Sequence, residues 1–216
     1  MSLEAVLFDL DGVIVDSEPL WSIVEEQVTE WLGGTWGPDV KAAMYGKPVN
    51  VASSELLRVT GNRHATAAEV GRRLTDGLIE RFESELAVLP GALELLDELA
   101  AEAVPLAIVS SSSREIVDAA LRVVGGQRFA ATVAADDHHV HKPDPGPYLE
   151  AAARLGANPR ACVAIEDSPT GIASAEAAGC VVVGVPNVVA LPDAPGRHIV
   201  DSLAHVRVTW LRSLVD

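Results

Sequence analysis

Apolar residues along this chain fall into two kinds of pattern. Short unbroken runs stand at Ala5–Phe8, Leu106–Ser110, Cys162–Ile165 and Cys180–Val185, with a briefer one at Thr132–Ala135. Such runs are expected of strands buried on both faces. Elsewhere the apolar positions recur at helical spacing. Leu20, Ile23, Val24, Val28, Trp31 and Leu32 mark one helix, with Asp16 or Ser17 as its cap, Pro19 in its first turn and Gly33-Gly34 at its end. Trp31 lies on that apolar face and is read as core, while Trp36 falls in a Gly-rich linker. Further helices are expected over Val51–Val59 and Ala67–Phe82, the second opened by Thr66 with Glu69 as capping-box partner. After Pro90-Gly91 the pattern predicts helices at Ala92–Glu102, Arg114–Val124, Pro147–Leu155 and Thr170–Ala178, each alternating with a strand.

The order is one strand, an all-helical block, then a regular alternation of strand and helix. It predicts an α/β protein, a parallel sheet with helices on both faces and a helical cap inserted after strand one. Residues 1–15 and 86–216 are assigned to the core and residues 16–85 to the cap.

Composition adds limits. The chain has 216 residues, 49% hydrophobic and 22% charged, enough for a core without staples. Cys162 and Cys180 both lie in apolar runs and are read as reduced thiols of a cytoplasmic protein. Asp9 and Asp11 break the first apolar run and no basic stretch precedes it, which is unlike a secretion signal. The longest weakly polar stretch, Cys180–Leu191, is too short to span a bilayer, so no membrane partner is expected. A monomer is expected. The formal net charge is −15, which repels polyanions and speaks against a nucleic-acid partner. A small phosphorylated metabolite is also anionic, so binding one demands a local positive centre.

In open α/β sheets, ligands bind beyond the carboxyl ends of the strands. Asp9 and Asp11 follow the first strand, Ser110, Ser111 and Ser112 the second, Lys142 lies downstream of the third, and Glu166 and Asp167 follow the fourth. Asp9 and Asp11, two apart in an extended segment, point the same way and repel unless a divalent cation or a proton intervenes. One carboxylate then attacks phosphorus and the other, protonated, serves the leaving oxygen. Gly12 lets the chain turn beneath them. Asp-x-Asp-Gly also suits a solvated turn. Glu166 and Asp167 offer oxygen ligands to Mg²⁺, and Asp167 or Ser168 also suits the cap of a helix. The serines fit an anion cradle at a helix start, or simply a turn. Lys142, flanked by Pro143 and Asp144-Pro145, is a compact phosphate-seeking charge on a stiff loop, or an ordinary exposed lysine. Taken singly each pattern is ambiguous. Their joint order points to phosphoryl transfer.

These motifs resemble the haloacid dehalogenase superfamily, in the branch with a helical cap after strand one of a Rossmann-like core. The resemblance rests on Phe8-Asp9-Leu10-Asp11-Gly12-Val13, Ser110, Lys142-Pro143 and Glu166-Asp167-Ser168, and secondarily on Asp16–Trp21, Leu89-Pro90-Gly91 and Pro169-Thr170-Gly171. It implies Asp9 as nucleophile, Asp11 as general acid and base, and Ser110 and Lys142 on the phosphate. It implies Mg²⁺ held by Asp9, the Asp11 carbonyl and Asp167, with Glu166 close by. Trp21, Gly46, Lys47, Ser111 and Ser112 are the expected substrate-binding residues. The Asp two after the nucleophile marks phosphatases and phosphomutases, and argues against dehalogenases and phosphonatases. The similar β-phosphoglucomutases carry a histidine where this chain has Trp21 and an arginine where it has Val49. The expectation is therefore a Mg²⁺-dependent phosphatase of a small phosphorylated metabolite, a sugar phosphate in the first instance, with a mutase, a phosphonatase or a non-catalytic sensor as alternatives. His138, His139 and His141 are read as a polar loop rather than a zinc site.

Overall fold

The computed structural model describes residues 2–44, 47–137 and 139–215. Strand β1 (Ala5–Phe8) leads into β2 (Val15–Asp16), then four helices, α1 (Glu18–Trp31), α2 (Pro38–Met44), α3 (Val49–Thr60) and α4 (Ala67–Glu85). The chain returns through β3 (Ala87–Val88) and continues as α5 (Ala92–Ala101), β4 (Leu106–Val109), α6 (Arg114–Val124), β5 (Ala131–Val133) and α7 (Gly146–Leu155). It ends with β6 (Cys162–Glu166), α8 (Pro169–Ala178), β7 (Val181–Gly184), β8 (Arg197–Ile199) and α9 (Val208–Val215). The main sheet has six strands in the order β5-β4-β1-β6-β7-β8, and every pairing in it is parallel. No helix among the described residues is long and apolar enough to cross a membrane.

Side-chain alternation along the central strands divides the core. Val6, Phe8, Ile108, Val163 and Ile165 join the large cluster under α5, α6 and α9. Ala5, Leu7, Ala107, Val109 and Ala164 face Tyr148, Ala151, Ala152 and Ala175 of α7 and α8. The second face is rich in alanine, so these two helices lie close to the sheet. A third cluster, including Val24, Val28, Leu56, Val70 and Leu74, holds the four helices of the insert together. The insert leaves and re-enters the core through one antiparallel ribbon, with Val15 opposite Val88 and Asp16 opposite Ala87. Arg72 of α4 also reaches Glu115 of α6 at 2.9 Å, an exposed tie between insert and core.

Several elements differ from those expected. The two-residue strands β2 and β3 are too short to leave a periodic signal. Strand β8 reads Arg-His-Ile at the sheet edge and has no apolar run. Helices α2 and α9 were also absent from the sequence pattern as read. Trp31 is not core: it is 43% exposed and its ring lies under the Arg73 guanidinium, 4.1 Å from the ring centre. A cation over the ring face lets the indole remain at the surface. Trp36, by contrast, packs partly buried against the insert cluster. Neither Asp16 nor Ser17 caps α1 through its side chain; Ser17 occupies the N-cap position, but its hydroxyl turns to Asp11. The capping box at Thr66 is present, with the Glu69 N–H donating to Thr66 Oγ1 at 3.2 Å and the Thr66 N–H donating to Glu69 Oε2 at 2.8 Å. Replacement of Thr66 by alanine is expected to lower stability by about 1 kcal/mol, read as an earlier midpoint in urea unfolding with an unchanged slope.

Candidate active site

Three neighbouring strands deliver their ends to one point. The Asp9 N–H donates to the Ile165 carbonyl at 2.9 Å, which extends the β1–β6 ladder and places Asp9 beside Glu166 and Asp167. The Ser110 N–H likewise donates to Val133, so the serines leave the sheet on the other side of β1. Beyond these ends lies a cavity of about 390 Å³ between core and insert. Its wall includes Asp9, Asp11, Ser111, Ser112, Lys142 and Asp167 from the core, and Trp21 and Lys47 from the insert. Ser110 and Glu166 lie beneath it, 4% and 0% exposed. Gly46 and His138 lie outside the described residues. His139 and His141 are exposed, and no cluster able to hold a metal includes them among the described residues.

Lys142 is at the centre. Its ammonium donates to Asp9 Oδ1 at 2.5 Å, to Glu166 Oε1 at 2.6 Å and to the Val109 carbonyl at 2.7 Å. Its three donors thus find partners from β1, β4 and β6. Burial alone would lower its pKa, but Asp9 and Glu166 outweigh this and hold the lysine charged. The lysine read on sequence as phosphate-seeking therefore also fixes the carboxylates.

Glu166 is fully engaged. Oε1 also accepts from the Tyr148 hydroxyl at 2.6 Å, and Oε2 accepts from the Ser168 hydroxyl at 3.1 Å. Gly171 makes room for it, since a Cβ there would lie 1.9 Å from Oε1. Gly171 belongs to the Pro169-Thr170-Gly171 run noted in the sequence, whereas Tyr148 was not singled out: it is one aromatic in an ordinary helix pattern, and only the fold carries it beneath Glu166. Ser168 caps α8, its Oγ accepting from the Gly171 N–H at 3.1 Å, which leaves Asp167 to face the cavity.

Asp11 turns away from Asp9. Its Oδ1 accepts from the Ser17 hydroxyl at 2.5 Å, and its Oδ2 accepts from Ser112 at 2.8 Å and more weakly from Ser110 at 3.4 Å. Ser110 Oγ in turn accepts the Ser112 N–H at 3.0 Å, fixing the serine turn. The repulsion expected between Asp9 and Asp11 is thus eased by separate partners.

The site remains rich in negative charge. Burial raises the pKa of Asp9, Lys142 pulls it back, and Glu166, Asp167 and Asp11 raise it again. Asp167 is pushed up to about 7 by burial and by Glu166. Oxygens of Asp9, Glu166 and Asp167 lie within 4.8 Å of one another, an arrangement able to hold a metal ion. An all-oxygen set with one lysine among four carboxylates suits a hard divalent cation. Gly12, at φ +82°, keeps the approach to Asp167 open: a Cβ would lie 2.1 Å from Asp167 Oδ2. Asn187, from the loop after β7, also lines the cavity and was not flagged by the sequence. Because Lys142 is the ammonium among these buried carboxylates, Lys142→Met is expected to cost about 3 kcal/mol or more. Thermal melts with and without Mg²⁺ check this, and the metal is expected to raise the variant's midpoint more than the wild type's.

Comparison with known proteins agrees with this geometry. The family model of haloacid dehalogenase-like hydrolases matches residues 3–179. Hexitol phosphatase A of Escherichia coli is 35% identical over 208 residues, 95% of this chain and 92% of that one. Fructose-1-phosphate phosphatase YqaB of Escherichia coli is 32% identical over 186 residues, 83% of this chain and 95% of that one. The crystal structure of CbbY from Rhodobacter sphaeroides in complex with phosphate superposes with a TM-score of 0.85 at 25% identity, over 94% of this chain and 96% of that one. The chain therefore belongs to the haloacid dehalogenase-like hydrolase family, as an enzyme of its phosphatase kind.

Proposed function

We propose that this protein is a Mg²⁺-dependent phosphatase of sugar monophosphates, with Asp9 as nucleophile and Asp11 as general acid and base. The observation that carries the reading is the position of Asp9 at the cavity wall, held by Lys142, with Asp11 facing the same cavity from a hydroxyl-lined setting. In this reading the Asp9 carboxylate attacks phosphorus and the ester oxygen leaves. Asp11 gives that oxygen a proton, then takes one from the water that hydrolyses the aspartyl-phosphate. Ser17 and Ser112 orient the Asp11 carboxyl for both transfers. Lys142 balances charge on the phosphoryl oxygens, and Ser110 holds the serine turn behind it. Glu166, with Tyr148 beneath it, positions Lys142. Mg²⁺, held by Asp9, Asp167 and the Asp11 carbonyl, would supply further positive charge against the phosphoryl group.

The relatives named for hexitol and fructose-1-phosphate support a sugar substrate. Two residues favour hydrolysis over the mutase alternative. Trp21 lines the cavity, and Val49, the first residue of α3, packs against the hydrophobic core. Neither supplies a cation for a second phosphate. In this proposal residues 16–85 act as a cap that closes over the substrate and excludes water during attack.

The central experiment is a phosphate-release screen over sugar monophosphates with Mg²⁺; full turnover in excess EDTA, with no carried-over metal, overturns the metal requirement. Asp9→Asn is expected to lower the rate by several orders of magnitude, roughly 10³-fold or more, with the fold intact by circular dichroism. Lys47, exposed at the cavity wall, is expected to steer the substrate, so Lys47→Ala raises KM more than it lowers kcat. Rapid conversion of β-glucose 1-phosphate to glucose 6-phosphate in ³¹P NMR, with a trace of bisphosphate and no matching inorganic phosphate, would make the mutase reading correct instead.

A further inference from the structure

The insert contributes one carboxyl to the cavity that the chemistry above does not use. Glu25 of α1 is 7% exposed, yet it lines the cavity. Among the described residues no side chain or backbone group makes a hydrogen bond with its carboxyl. Burial pushes its pKa up to about 8, Glu18 adds to this, and Lys41 opposes it. Lys41 itself pairs with Glu18 at 3.7 Å. At neutral pH Glu25 therefore holds its proton and offers one O–H donor and one carbonyl acceptor. A buried polar group ordinarily finds a hydrogen-bond partner, and a ligand in the cavity can supply one. The open side of Glu25 is the cavity.

Trp21 lies one helical turn before Glu25 on the same face of α1, and Met44 of α2 lines the same cavity. A flat apolar ring beside a neutral hydrogen-bonding group matches the two chemical characters of a sugar or polyol, its C–H face and its hydroxyl edge. With the phosphoryl end at Asp9 and Lys142, the remainder of a substrate projects toward this wall.

We propose that Glu25 is a specificity-determining residue that hydrogen-bonds an uncharged hydroxyl of the leaving group, with Trp21 packing against the adjoining carbon face, so that the cavity selects polyhydroxylated monophosphates. This inference rests on the phosphatase reading and adds to it the residue that chooses the alcohol. The wall around Glu25 provides a hydroxyl partner and no unpaired cation of α1 or α2 for a second phosphate or a carboxylate.

The test compares two esters that share the phosphoryl chemistry and differ in hydroxyls. One is whichever of fructose 1-phosphate, glucose 6-phosphate and sorbitol 6-phosphate the wild type hydrolyses fastest; the other is p-nitrophenyl phosphate. The readout is the ratio of their kcat/KM values. Glu25→Leu is expected to lower that ratio about 10-fold, chiefly through KM for the sugar ester. Glu25→Ala, which opens space instead of filling it, is expected to do the same should the leucine variant fold poorly. Glu25→Gln keeps a donor and an acceptor and is expected to stay within about 3-fold of the wild-type ratio. The melting temperature of Glu25→Leu is expected not to fall, because a buried polar group is removed. An unchanged ratio in the leucine and alanine variants, equal loss of kcat on both esters, or a glutamine variant as impaired as leucine would each overturn the proposal while leaving the phosphatase reading in place. Failure of the wild type to release phosphate from any ester would overturn that reading, and this inference with it.

Discussion

The ammonium of Lys142 is the constraint on which the rest of the site depends. Two carboxylates, Asp9 and Glu166, come from adjacent strands, and a carbonyl, Val109, comes from a third. Without a buried cation these oxygens would repel one another at the most enclosed part of the cavity floor. With it they become one rigid unit, because each N–H points at a different strand end. The surrounding packing preserves that unit: Tyr148 and Ser168 complete the hydrogen bonds of Glu166, and Gly171 leaves space where any side chain would collide with it. The charge that remains unbalanced is negative and faces the cavity, a setting that suits a metal ion.

The same arrangement separates the two aspartates of the first motif into different electrostatic settings. Asp9 is paired with an ammonium, whereas Asp11 accepts from hydroxyls of Ser17, Ser110 and Ser112. Two residues apart in the chain, they thereby meet different partners, one an ammonium and the other hydroxyls that can donate or accept. Ser17 connects this to the insert, since it stands at the start of α1. The start of the helical insert and the Asp11 carboxyl are thus joined by a single hydrogen bond.

Much of this was legible in the chain because buried parallel strands are written as unbroken apolar runs and their ends as abrupt changes to polar residues. Ala5–Phe8 followed by Asp9, and Cys162–Ile165 followed by Glu166-Asp167, carry both signals at once. Strand β8 carries neither, because at the sheet edge it is only half-buried and Arg197 and His198 keep access to solvent. Tyr148 and Asn187 escaped for a different reason: their importance lies in what they touch across the fold, and no local pattern records that. Trp31 misled because helical periodicity identifies a face but not whether a neighbour covers it; Arg73, from another helix, decides the matter. Glu25 is one polar position of an amphipathic helix, with no motif to mark it; the cavity shows which way it faces.

The ribbon formed by Val15–Asp16 and Ala87–Val88 has a consequence for how such a protein changes over generations. Because the chain departs and returns at paired residues, the sheet experiences everything between Asp16 and Ala87 as though it were a tight turn. Loop-closure entropy rises only slowly with the length of the excursion, and the insert has its own hydrophobic cluster. The four helices are therefore partly self-contained, although Leu20, Leu78 and Phe82 pack into the main core. Changes in the insert away from those three residues are expected to leave the register of β1 against β4 and β6 untouched, so its outer surface can drift while the sheet that carries Asp9 is inherited intact.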